Sequence, residues 1–148
     1  WEEYTSVALK FSVAHAADLT VSQRTSELRE QKGDSVIQQR VVTFTGADGV
    51  FAFYVTSGPN DAGLSLEQWI KTYPGWPTEP QAGTIGGQAA LRFDRNALDE
   101  PDARVYVVRG ATVYTLAGNV FGSGEGGYGP GIQESDFETV LQSFRFAE

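Results

Sequence analysis

Cysteine and methionine are both missing from the 148 residues, histidine occurs once, and lysine and arginine together number 11 against 19 acidic residues. Without cysteine there are no disulfides, no thiolate metal centres and no cysteine nucleophile, so packing and hydrogen bonding supply the stability, and the redox compartment is left open. The single histidine, His15, excludes metal sites built from several imidazoles and leaves a Ser-His-Asp relay only one residue to use. Its setting, Ala14-His15-Ala16, predicts a hairpin turn. A formal net charge of −8 disfavours nucleic acid and acidic lipid surfaces as partners, because their phosphates are bound by clustered cations. No apolar run approaches the ~20 residues that cross a bilayer; the longest candidate, 50–55, has strand length. A start at Trp1 and the lack of methionine predict a piece processed or cut from a longer product, with membrane attachment only through a removed N-terminal anchor.

What is present reads as a single domain over residues 1–148, since a chain of this size buries roughly two-thirds of its unfolded surface. Residues 4–13 alternate, with Val7, Leu9, Phe11 and Val13 on one side, the period of a half-buried strand. Residues 19–24 and 34–44 are the next strands, separated by a turn at 31–34, and 50–56, apolar on both faces, is a central strand after the Gly46-Ala47-Asp48-Gly49 turn. Residues 89–93, 104–108 and 112–116 are three more, rich in β-branched residues and bounded by turn formers. The segment before them, through the prolines to Gly87, is expected to be a loop.

Two helices complete the prediction. Ser65 and Gln68 form a capping box, and Leu64 can staple onto Trp69, so a helix starts at 65 and stops by Thr72 ahead of Pro74, Pro77 and Pro80. Ser135 and Glu138 predict a second box, opening a helix over 135–143 whose Phe137, Val140, Leu141 and Phe144 make one apolar stripe. Residues 122–131, with six glycines in ten positions, are expected to be a mobile surface loop.

The order strand ×4, helix, strand ×3, helix joins three specific segments: Thr-Ile-Gly-Gly-Gln-Ala-Ala-Leu-Arg-Phe at 84–93, Gly-Ala-Thr-Val-Tyr-Thr-Leu at 110–116, and Phe-Glu-Thr-Val-Leu-Gln-Ser-Phe-Arg-Phe at 137–146. Together they resemble the PsbP-like domains of bacterial extracytoplasmic lipoproteins, relatives of the oxygen-evolving-complex protein PsbP. The likeness covers nearly the whole chain, but the first hairpin departs from the family: Ala14-His15-Ala16 and Leu19 stand where Tyr-Pro and a Trp are common. The resemblance implies an α+β fold, a single antiparallel sheet of six or seven strands sandwiched by helices. It also implies a place outside the cytoplasm and a role in binding or assembly more often than catalysis. It carries no active-site residue over to this chain.

For chemistry, the serines lie in no nucleophile elbow, and Gly86-Gly87 lacks the third glycine and following helix of a dinucleotide site. No cofactor is expected. The 122–131 loop holds Glu125 and no cation, which argues against phosphate. Asp94, Asp99, Glu100 and Asp102 crowd one connection, where Asp99, Glu100 and Asp102 are candidate oxygen ligands for calcium; the competing reading is a solvated ion-pair network with Arg92, Arg95 and Arg104. Tyr73, Trp76 and Tyr128 are the candidate binding residues, exposed aromatics on loops suited to a protein or polysaccharide partner; against this, Trp76 folds back over the core. The expected function is therefore a non-enzymatic extracytoplasmic binding or assembly module with no catalytic residues. The alternative is a carboxylate-dependent hydrolase acting on glycans through the acids at 94–102.

Overall fold

Alternating apolar and polar side chains resolve most of the chain into antiparallel strands in the computed structural model, which describes residues 1–76, 79–94, 102–120 and 130–147. In chain order the elements are β1 (Glu2–Ser6), β2 (Phe11–His15), β3 (Thr20–Arg29), β4 (Val36–Thr45), β5 (Phe51–Pro59), α1 (Leu66–Thr72), β6 (Gln81–Ile85), β7 (Gln88–Phe93), β8 (Ala103–Arg109), β9 (Thr112–Gly118), α2 (Glu134–Ser143) and β10 (Arg145–Phe146). Seven strands lie side by side in the order β3-β4-β5-β9-β8-β7-β6, and β1, β2 and β10 make a separate three-stranded sheet. The class is α+β and antiparallel, as expected, but the strands divide between two sheets where one was expected.

The second sheet comes from the segment read as one strand over residues 4–13. Lys10 adopts a left-handed φ of 63°, its amide donates to the Ser6 carbonyl at 2.9 Å, and the Leu9 amide donates to Ser6 Oγ at 3.1 Å. These bonds reverse the chain, leaving Val7 85% exposed. Phe11, Val13 and His15 then face the interior of β2. His15 is thus a buried strand residue, not a turn residue, its ring 5.1 Å from that of Phe44 and its Nδ1 2.8 Å from the Ala16 carbonyl oxygen.

The other difference is β6, within the span expected to be a loop. Ile85 pairs with Gln88 across a two-residue turn in which Gly86 and Gly87 have φ of 56° and 82°, the two positive values that a tight hairpin turn with the right twist requires. Helix α1 has the expected capping box: the Gln68 amide donates to Ser65 Oγ at 3.2 Å, and the Ser65 amide to Gln68 Oε1 at 3.1 Å. Helix α2 does not. Its N-cap is Gln133, without a side-chain cap bond, and Glu134 and Asp136 in the first turn complement the helix dipole instead.

Strand alternation places a cluster on each face of the large sheet. On one face Val42, Phe44, Phe53, Val55, Val105 and Leu116 pack against Phe11 and Val13 of the small sheet and against Phe137, Val140, Leu141 and Phe144. The expected stripe is thus fully used, and burying each Phe contributes ~1.5–3 kcal/mol. On the other face Phe93, Tyr106 and Val113 pack against Trp69 and Ile70 of α1.

Candidate functional site

The α1 face differs from its counterpart in holding buried polar groups at the middle of the sheet. Register brings them together. Thr56 of β5 is directly opposite Thr115 of β9, and Thr115 is directly opposite Tyr106 of β8, so three hydroxyl-bearing residues form a row across three adjacent strands. One step along, Tyr54 and Arg104 flank Ala117 in the same way. Thr56, Thr115 and Tyr106 are 4%, 6% and 4% exposed. Above this row, where Trp69 and Pro74 come down from the α1 side, is a cleft of about 160 Å³ that Gln39, Tyr54, Thr56, Arg104, Tyr106 and Thr115 also line.

Asp102 does not line the cleft but engages two residues that do. Its Oδ2 accepts from Arg104 Nε at 3.1 Å and from the Tyr54 hydroxyl in a long contact of 3.4 Å. Burial raises the Asp102 carboxyl above its ordinary value, against the lowering effect of hydrogen bonds from its own backbone amide and from Tyr54. Burial also pushes the Tyr54 phenol up to about 12; Arg104 pulls it down, and Asp102 and Tyr106 push it further up. Tyr106 is likewise raised by burial, with Arg104 opposing. Phenols are protonated at neutral pH with or without such a shift, and the cation beside these two, Arg104, is paired with Asp102. The result is a site with hydrogen-bonding capacity and little net charge.

Two oxygens here have no hydrogen-bond partner among the described residues: Thr56 Oγ1 and Asp102 Oδ1, both buried. Such a group forfeits ~1–3 kcal/mol of solvation, so two beside one cleft mark the place where the fold tolerates a local cost. A third orphan, Asn119 Oδ1, belongs to a residue whose Nδ2 donates to the Phe51 carbonyl at 3.1 Å.

Of the predicted site residues, Tyr73, Trp76 and Asp102 are described, and none of them lines this cleft. Tyr73 is the C-cap of α1, half-buried, its ring 5.3 Å from Trp69. Trp76 is half-buried too, edge-on to Phe93 at 5.3 Å and with the Lys71 ammonium 4.8 Å from its ring centroid. Both pack against the α1-face cluster, so the aromatic turn folds onto the sheet. Tyr128, Asp99 and Glu100 lie outside the described residues, as does most of the glycine-rich segment expected as a loop over 122–131. Asp102 is not on a solvated rim: it is 6% exposed and engaged by Arg104 and Tyr54. Ion pairing with the neighbouring arginines is real, since Arg92 also contacts both Asp94 and Glu138.

Sequence reading missed Tyr54, Thr56, Tyr106 and Thr115. The available signal was a polar residue inside an apolar run: Thr56 following Val55, and Thr115 between Tyr114 and Leu116. Among known proteins, no family model matches the chain, and neither a curated protein nor a solved structure does.

Proposed function

We propose that this chain is a non-enzymatic binding or assembly module of the PsbP-like type, working outside the cytoplasm, whose recognition site is the cleft on the α1 face. Support for the fold type is the placement of Trp69 and Ile70 against one face of the large sheet and of Phe137, Val140 and Leu141 against the other. The observation that carries the binding role is the row Thr56–Thr115–Tyr106 beneath a cleft flanked by orphaned oxygens. Central strands ordinarily bury apolar side chains, and polar ones kept there serve recognition or are satisfied by the fold. Catalysis by paired carboxylates needs a second acid facing the first. Among the described residues no acid lines this cleft; Asp102 lies behind Arg104, paired with it.

A fragment screen read by amide shifts in the folded protein tests the reading without assuming a ligand class. Hits should converge on Thr56, Thr115 and Tyr106, with no turnover of chromogenic glycosides. Convergence elsewhere refutes the site. Turnover abolished by Asp102→Asn establishes the hydrolase instead.

A further inference from the structure

Resting on that reading of the cleft, we infer that its ligand is a neutral molecule bearing hydroxyls around a ring, a single sugar residue or cyclic polyol. Three observations select this class. The first is charge: Arg104 is matched by Asp102 at 3.1 Å, and among the described residues no other charged side chain lines the cleft, so an anion meets a cation already paired and a cation meets no carboxylate in the lining. The second is arrangement. Thr56, Thr115 and Tyr106 are directly opposite one another on three adjacent strands and all line the cleft, so a ligand there meets several hydroxyls at once, as a ring carrying several hydroxyls of its own can use. The third is size: about 160 Å³ compares with the ~150 Å³ cavity that holds a benzene ring, enough for one ring with its remainder in solvent.

Thr56 Oγ1 is buried, unpartnered and belongs to a residue lining the cleft. A ligand hydroxyl seated in the cleft is the partner that this oxygen lacks. The orphan is then paired in the complex, which explains its retention in a central strand. A hydroxyl ligand supplies both donor and acceptor to the threonines and accepts from Tyr106 or Arg104.

The test is an amide-shift titration of the full chain with methyl glucoside, myo-inositol and a short neutral oligosaccharide, against glucuronate and inorganic phosphate. Saturable shifts at Thr56, Thr115 and Tyr106 with the neutral probes are expected; saturation by the oligosaccharide alone identifies a glycan end, and saturation by the monomers a free polyol. Thr115→Val and Thr56→Val should each weaken binding about threefold to tenfold, the ratio carried by one hydrogen bond. Thr56→Val should also unfold at an unchanged or higher urea concentration, because it deletes an orphan. No saturation by any neutral probe, equal saturation by the anions, or unchanged binding in both valine variants overturns the inference. If apolar or charged fragments fill the cleft while neutral sugars do not, the ligand class is wrong and the binding module stands. If nothing fills it, both are wrong.

Discussion

Adding one methyl group at Gly118 should unsettle the contact that joins α2 to the large sheet. Gly118 pairs with Phe53 on β5 and Ala103 on β8, and a Cβ built there would lie 2.5–2.7 Å from three ring carbons of Phe137. Phe137 is fully buried, so its ring cannot swing into solvent, and the helix or the ring must shift by close to an ångström. Overpacking of this kind costs ~1–3 kcal/mol. Replacing glycine by alanine recovers ~0.4–1 kcal/mol through the unfolded chain. The net expectation is a loss of about 1–2 kcal/mol, or a melting point lower by ~2–8 °C for a chain of this length. Urea unfolding followed by tryptophan fluorescence measures it. Phe137→Ala alone should cost ~3–5 kcal/mol, and in that background Gly118→Ala should be neutral or stabilising, giving a coupling of at least ~1 kcal/mol. An equal cost of Gly118→Ala in both backgrounds would refute the packing of Phe137 on β9.

Three further outcomes follow from the α1 face. Trp76→Ala, which removes a half-buried ring from Phe93 and from beneath Lys71, should leave the far-ultraviolet spectrum unchanged and lower stability by ~1–2 kcal/mol, about half the cost of deleting a fully buried aromatic; urea unfolding reads it, and loss of the folded spectrum would make the ring an essential core element. In an alkaline titration followed at 295 nm, Tyr54 should ionise near its raised value of about 12, and Tyr54→Phe should remove that step. Because a raised pKa stabilises the folded state below the unfolded value and this stability is lost as pH rises through the folded value, unfolding should become easier above pH ~10, and less so in Tyr54→Phe. The same sign applies to Asp102, raised from 3.8: its contribution is full below that value and fades as pH climbs through the folded one, and Asp102→Asn should flatten this part of the stability profile.

Strands were legible in two ways: β2 and much of β4 alternate between a drier and a wetter face, and β8 and β9, largely buried, are apolar runs bounded by turn formers. The start of α1 was legible for a local reason, the Ser65 and Gln68 side chains capping the same helix end between the apolar Leu64 and Trp69. The edge strand β6 was not, since residues 81–84 are all exposed; nothing apolar alternates there, and the segment is a strand only because the Gly86-Gly87 turn returns the backbone to β7. The Ser135 box failed because the N-cap is Gln133, so Ser135 is already the second residue of the helix, its carbonyl accepting from Thr139 Oγ1 at 3.2 Å. Asp102 was singled out from the acids at 94–102, yet the environment that matters comes from Tyr54, 48 positions away. The cleft itself is a product of register: Thr56, Thr115 and Tyr106 are on three strands, and no short-range pattern links them. Central-strand threonines are the residues to question in such a sequence.

The central claim is that recognition occurs over the Thr56–Thr115–Tyr106 row. Intermolecular nuclear Overhauser contacts between methyl glucoside and the protein test it most directly. Contacts from the sugar ring to the Thr115 methyl and the Tyr106 ring are predicted, with weaker ones to Trp69. Contacts confined to the groove between β6 and α2, which Arg92 and Glu138 line, or to the one beside Trp1 and Ile132, would contradict it.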